Sequence, residues 1–169
     1  MKKAIEANIE IIDRCLAIIN VLPLKDFVKP CSVILDETIG RHFRHIIEFY
    51  ISLLKDINTG IVSYDSRERN KQLETEIKIV SEKLKQIKMK LSGLSTDQKI
   101  LVKYNLFTDS NYLQTAESTL KRELIFLHDH TIHHLFMIRI ASENLSVNLL
   151  NIDNLGINPS TLRSRKCAL

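Results

Sequence analysis

Glu123-Leu124-Ile125-Phe126-Leu127-His128-Asp129-His130-Thr131-Ile132-His133-His134-Leu135-Phe136-Met137 holds four of the six histidines of the chain. Read as a helix at about 100° per residue, it places Phe126, Leu127, His130, His134, Met137, Ile138 and Ala141 on one face, while His128, Ile132 and Arg139 point elsewhere. Two imidazoles are therefore expected to look into a helical core. His130 and His134 are spaced i, i+4, so their rings stand one above the other and can meet on a single ion. Left buried without partners, such ring nitrogens cost roughly 1–3 kcal/mol each, and a metal would satisfy both. A third imidazole has to come from another helix, and the remaining histidines are His42 and His45 in Arg41-His42-Phe43-Arg44-His45. The competing reading is a set of hydrogen-bonded core histidines that hold nothing.

Working outward from that helix, periodicity predicts three more. Ile5, Ile9, Ile12, Leu16 and Ile19 mark a first helix over residues 4–21, ended by Pro23. Ile39, Phe43, Ile46, Tyr50, Leu53 and Ile57 mark a second, closed by Asn58-Thr59-Gly60. On its wheel His42 sits at the edge of the apolar stripe and His45 about 60° further round, beside Ser52 and Asp56, so periodicity favours His42 as the inward ring. Asp65-Ser66-Arg67-Glu68 resembles a capping box and predicts the start of a third helix, whose apolar face is Leu73, Ile77, Val80, Leu84, Ile87 and Leu91 before Ser92-Gly93 breaks it. The β-branched run Gln98–Tyr104, followed by a turn-like stretch from Asn105 to Asn111, predicts a short β-hairpin between the third and fourth helices. The fourth helix begins near Glu117-Ser118-Thr119, where either hydroxyl can cap, and runs to about Ser142. The expectation is an all-α chain with one domain over residues 1–155 and a loosely packed surface tail over 156–169.

Composition narrows the function classes. With 169 residues, 44% hydrophobic and 26% charged, the chain is large enough to bury its own core. Only four glycines and three prolines occur, which favours long helices over a turn-rich β fold. No apolar run of membrane-spanning length is present, and Met1-Lys2-Lys3-Ala4-Ile5-Glu6 turns acidic at once, so neither export nor membrane insertion is expected. The three cysteines, Cys15, Cys31 and Cys167, are far apart and form no CxxC pair, which fits unlinked thiols in the cytoplasm. The net charge of +4 invites a nucleic-acid reading. However, Lys78, Lys83, Lys85, Lys88 and Lys90 are interleaved with Glu74, Glu76 and Glu82 and carry no aromatic residues between them, the pattern of a solvated face. The chain has no GxSxG, no glycine-rich phosphate loop and no paired strand-end carboxylates, which leaves the histidines as the chemical signal.

Thr38-Ile39-Gly40-Arg41-His42-Phe43-Arg44-His45-Ile46, then Val62-Ser63-Tyr64-Asp65-Ser66-Arg67-Glu68-Arg69, then Arg122-Glu123-Leu124 followed by His130-Thr131-Ile132-His133-His134, resemble the DinB-like (DinB/YfiT-like) family of metalloenzyme-like proteins over about residues 5–145. The resemblance implies a four-helix bundle with a metal held by one histidine of the second helix and an HxxxH pair of the fourth. The family's register puts the ligands at His45, His130 and His134, against the wheel's preference for His42. It leaves His42 and His133 as residues lining the site, and Glu123 as a carboxylate placed to accept a ligand's free N–H, if it is not simply an ion pair near the helix start. His128-Asp129 precedes the pair where relatives carry a small residue such as serine.

The metal expected on such a set is zinc or nickel, with at least one open position. Some relatives resemble thiol-dependent transferases, which implies transfer of a low-molecular-weight thiol, as co-substrate, onto an electrophilic small molecule. Arg67 and Arg69 are candidates for anchoring an anionic substrate. Metal-dependent hydrolysis is one alternative, and a non-catalytic stress-response or interaction bundle that holds a metal is the other. No nucleic-acid or membrane partner is expected. A homodimer is compatible with the apolar residues Ile125, Ile132 and Phe136 off the main face of the fourth helix, which could equally pack against the tail.

Overall fold

The computed structural model describes residues 1–109, 112–149 and 154–167. Residues 110 and 111 of the expected turn, and 168 and 169 of the expected tail, lie outside the described residues. The chain is mostly helical, with one small sheet. Four long helices dominate: α1 (Lys2–Val21), α3 (Ile39–Asp56), α5 (Ile77–Ser92) and α6 (Leu120–Asn144). Three short ones, α2 (Leu24–Phe27), α4 (Gln72–Thr75) and α7 (Pro159–Cys167), lie in the connections and the tail. α1 packs against α5 and α6, and α3 packs against the same two. No helix among the described residues is long and apolar enough to cross a membrane.

The ends of the two histidine-bearing helices are set by hydroxyl caps. Thr38 Oγ1 accepts the Arg41 N–H at 3.0 Å and starts α3, and Thr119 Oγ1 accepts the Arg122 N–H at 3.2 Å and starts α6. α3 passes into a short 3₁₀ turn that Gly60 closes at φ 72°, the left-handed geometry that glycine adopts without penalty. Gly40 is needed for another reason. A methyl group there would stand 2.2 Å from the Glu74 carbonyl oxygen and 2.8 Å from the Phe27 ring, so the absence of a side chain is what lets α4 lie on α3.

The hairpin forms where the sequence places it: β2 (Lys99–Tyr104) pairs antiparallel with β3 (Gln114–Thr119), Lys99 facing Thr119 and Tyr104 facing Gln114. Glu117, Ser118 and Thr119 therefore end a strand, and the helix begins at Leu120. A third strand, β1 (Ile61–Ser63), pairs parallel to β2; at three residues it is too short to carry an alternation signal. The expected helix start at Asp65–Glu68 is not used. Asp65 instead accepts the Asn105 N–H at 3.0 Å, Asn70 donates its N–H to buried Glu48 at 2.8 Å, and Glu76 turns extended before α5 starts at Ile77. Long-range partners outcompete the local capping pattern here.

The core holds a polar link between three helices. Asn8 of α1 donates to Ala4 O at 2.7 Å and to Leu124 O of α6 at 2.9 Å, and its Oδ1 accepts the Tyr50 hydroxyl of α3 at 2.5 Å. Burial pushes the Tyr50 hydroxyl pKa up, which keeps it a donor. In the tail, α7 buries no residue, but the chain before it is held. Gly156 sits so close to the backbone of Phe136 that a Cβ would stand 2.3 Å away, and Asn158 donates to Asp129 at 3.2 Å. Part of the off-face surface of α6 is thus covered by the chain itself.

Candidate metal centre

α3 and α6 run side by side in opposite directions, so that His42, His45 and Phe49 of one meet His134, His130 and Phe126 of the other in reverse order. Ring nitrogens of His45, His130 and His134 all lie within 4.8 Å of one another. Their ring centroids are 4.5 Å apart for His45 and His134, 5.0 Å for His45 and His130, and 4.7 Å for His130 and His134. The α6 pair does not point into the centre of the core as the helical wheel predicts. The buried stripe of α6 is Leu124, Leu127, Thr131, Leu135, Ile138 and Ser142, and both histidines flank it, half-buried, against α3. His45 lies off the centre of its own stripe in the same way, which is why the wheel undervalues it.

The site is walled by aromatic rings. Phe49 stacks on His130 with centroids 4.4 Å apart, Tyr64 stacks on Phe49 at 5.1 Å, and Phe126 lies 5.6 Å from His130. The Arg67 guanidinium covers the Phe49 ring at 5.0 Å. Burial, helped by neighbouring imidazoles and arginines, favours the neutral histidines. It pushes the pKa of His42 and of His130 down to about 4, of His45 to about 3 and of His134 to about 2. At neutral pH the cluster therefore presents uncharged rings, the state in which imidazole nitrogens ligate a metal.

Two buried nitrogens, His130 Nε2 and His42 Nε2, have no hydrogen-bond partner among the described residues. Three neutral imidazoles with ring nitrogens this close, one of them also carrying an unpartnered buried nitrogen, form a donor set that fits a transition-metal ion. Tetrahedral zinc with nitrogen ligands at its usual bond lengths needs ring nitrogens about 3.3 Å apart, so separations within 4.8 Å have to contract by at most about 1.5 Å, within reach of side-chain rotation.

The remaining expected residues separate clearly. His42 sits one turn before His45 with its Nδ1 3.0 Å from Nδ1 of His134. His133 is exposed and meets His134 only edge-on, at 5.2 Å between centroids. Glu123 is 2% exposed, and its carboxylate accepts the Tyr64 hydroxyl at 2.8 Å and the Ser118 hydroxyl at 2.6 Å, with Arg122 at 3.2 Å. Among the described residues no histidine is a hydrogen-bond partner of Glu123, so its contact with the site runs through the Tyr64 ring. Arg67 is not a solvated loop residue. It donates to Tyr64 O at 2.9 Å, lies 3.6 Å from Glu48 and covers Phe49, whereas Arg69 is exposed.

Sequence reasoning passed over Glu48, three residues after His45. It is buried between Arg44 and Arg67, and burial raises its carboxyl pKa even with both cations beside it. Its i, i+4 spacing from Arg44 was the available signal. It also overlooked Phe49 and Tyr64, whose aromatic character in the second helix and in the Val62–Arg69 motif was the only hint.

Two cavities flank the cluster. One of about 270 Å³ is lined by Tyr64, Ser118, Arg122, Glu123 and Phe126, among others, and one of about 610 Å³ by Glu48, Ser63, Arg67, Asn70 and their neighbours. Neither is lined by a histidine. In comparisons with family models, curated proteins and solved structures, nothing matches the chain.

Proposed function

We propose that His45, His130 and His134 hold a divalent transition metal, zinc or nickel, at the centre of a small-molecule enzyme of the DinB-like type. The observation that carries this is the convergence of three neutral imidazoles, each with a ring nitrogen within 4.8 Å of the other two. The four-helix-bundle reading is supported by the closed ring of contacts in which α1 and α3 each pack on α5 and α6.

When bound, the ion supplies Lewis acidity that lowers the pKa of a thiol or of water at an open coordination position. The chain's own residues set the conditions for that chemistry. Three neutral ligands leave the ion's positive charge uncompensated, and Arg67 behind Phe49 adds to it, so the site favours an anion in the open position. Phe49, Tyr64 and Phe126 keep water from the His130 side, which strengthens every electrostatic interaction inside. The proposed reaction is transfer of a low-molecular-weight thiol to an electrophilic small molecule: the S–H bond breaks, sulfur forms the new bond, and the electrophile either expels a leaving group that departs with the bonding pair or opens a π bond that takes up the released proton.

A second reading, a metal-holding bundle without catalysis, is favoured by one observation: the flanking cavities touch Phe126, Tyr64 and Arg67 but no histidine. Elemental analysis of the untagged protein beside His130→Ala and His134→Ala tests the shared premise. Near-stoichiometric zinc or nickel, lost in both variants, is expected; a wild type that neither holds nor takes up either metal overturns both readings. Thiol-transfer and hydrolysis assays on loaded protein then separate them, turnover supporting the enzyme and its absence the non-catalytic bundle.

A further inference from the structure

His42 is half-buried on α3, and its Nδ1 lies 3.0 Å from Nδ1 of His134. At that distance a single hydrogen lies between the two nitrogens, so one ring donates and the other accepts. We propose that His42 is a positioning residue for the metal centre: it accepts the hydrogen bond from Nδ1–H of His134 and holds that ring in the tautomer whose Nε2 lone pair is free for the ion. The inference rests on the metal-centre reading above.

The direction follows from bookkeeping of hydrogens. The contact with His42 occupies Nδ1 of His134, which leaves Nε2 as the nitrogen that can join His45 and His130 on an ion. A ligating nitrogen carries no hydrogen, so the one hydrogen of the neutral ring has to sit on Nδ1 and point at His42. His42 then accepts at Nδ1 and keeps its own hydrogen on Nε2, the buried nitrogen that has no partner among the described residues. Reversing the bond puts a hydrogen on Nε2 of His134, where it blocks the ion.

Metal-bound histidines generally donate their second N–H to a carboxylate, a carbonyl or water. None of the described partners of Glu123 or Glu48, the two buried carboxylates on these helices, is His134, and the neutral ring of His42 takes that place. A neutral acceptor draws less electron density toward the metal than a carboxylate does. The centre is left the more electrophilic for it.

The test uses the full chain. Long-range ¹⁵N–¹H correlation spectra of metal-free protein assign the His134 tautomer, and competition against a chromophoric chelator gives zinc affinity for the wild type, His42→Phe and His42→Asn. The wild type is expected to show His134 as Nδ1–H. His42→Phe, which keeps ring volume but removes the acceptor, is expected to shift His134 toward Nε2–H and to weaken zinc binding about 10- to 100-fold, with His42→Asn restoring part through its amide oxygen. Wild-type His134 found as Nε2–H, or a His42→Phe affinity within about twofold of wild type, overturns the inference. So does loss of zinc from His42→Phe as complete as from His130→Ala, which makes His42 a ligand. A wild type that takes up no zinc overturns the metal-centre reading as well, whereas zinc uptake with His134 as Nε2–H overturns this inference alone.

Discussion

Gly40→Ala and Gly93→Ala make the same chemical change, and the structure assigns them opposite signs. At Gly40 the new methyl would meet the Glu74 carbonyl oxygen at 2.2 Å and the Glu74 carbonyl carbon at 2.9 Å. A backbone atom cannot swing aside as a side-chain tip can, so α4 has to retreat by about 1 Å to restore ordinary van der Waals separation. Overpacking of this kind costs about 1–3 kcal/mol, here toward the upper end, against less than about 1 kcal/mol recovered from the better helix propensity of alanine. The expected net loss is about 2 kcal/mol, a fall in melting temperature of about 4–8 °C for a chain of this size. The retreat also loosens the ion pair of Arg44 with Glu74, one residue before the proposed ligand His45. At Gly93 the backbone is right-handed, at φ −81°, and the nearest atom to a new methyl is Lys90 O at 3.5 Å, an ordinary contact. Alanine there removes unfolded-state freedom and is expected to stabilise by about 0.4–1 kcal/mol. Circular-dichroism melts and urea titrations of both variants read the difference. A Gly40→Ala protein that melts with or above the wild type would refute the close approach of α4 to α3.

The histidine cluster makes the metal-free protein acid-sensitive. The four rings have folded pKa values of about 4, 3, 4 and 2 against 6.5 for an unperturbed histidine, so below pH 6.5 the unfolded chain binds more protons and stability falls with pH. Stability is full above 6.5 and drains toward the folded values. Each ring contributes at most about 1.4 kcal/mol per pH unit, and less than that because all four are partly solvated; identical urea midpoints at pH 7 and pH 5 would show the rings to be fully hydrated. Tyr64→Phe keeps the stack on Phe49 but takes the hydroxyl from the buried Glu123 carboxylate, at an expected cost of about 1–3 kcal/mol; a melt unchanged from wild type counts against that bond. Asn8→Leu takes the acceptor from the Tyr50 hydroxyl and the side-chain donor from Leu124 O, and is expected to cost about 1–3 kcal/mol, with Tyr50→Phe in the same chain recovering part; strict additivity in the double-mutant cycle would deny the coupling.

The four long helices were legible because each is written in a local period, and the first strand of the hairpin because the run Gln98–Tyr104 is β-branched; Gln114–Thr119 carries no alternation that marks it as the second. Ile5, Ile12 and Ile19, or Phe43, Ile46, Tyr50 and Leu53, repeat at helical spacing and are buried. The i, i+4 relation of His130 and His134 is likewise a property of one helix. The start of the third helix was misread because the capping pattern at Asp65–Glu68 is local, while the partners that decide it, Asn105 and Glu48, come from distant parts of the chain. The choice between His42 and His45 shows the same limit. Periodicity of the one helix ranks His42 ahead of His45, and that ranking fails because the helix by itself does not carry the position of α6.

What the sequence determined by itself is therefore a helical chain with two imidazoles one turn apart on its fourth helix and two more on its second, since backbone periodicity is fixed by residues within a turn or two of each other. What only the tertiary structure decided is the angle and depth at which α3 meets α6. That packing moves His130 and His134 from the centre of the core to its edge and brings His45 to both of them. It also leaves His42 on His134 alone, and Glu123 on Tyr64 and Ser118. Helix packing follows from side chains interdigitating across an interface, a sum over contacts between residues far apart in the chain, and no single stretch of sequence carries it.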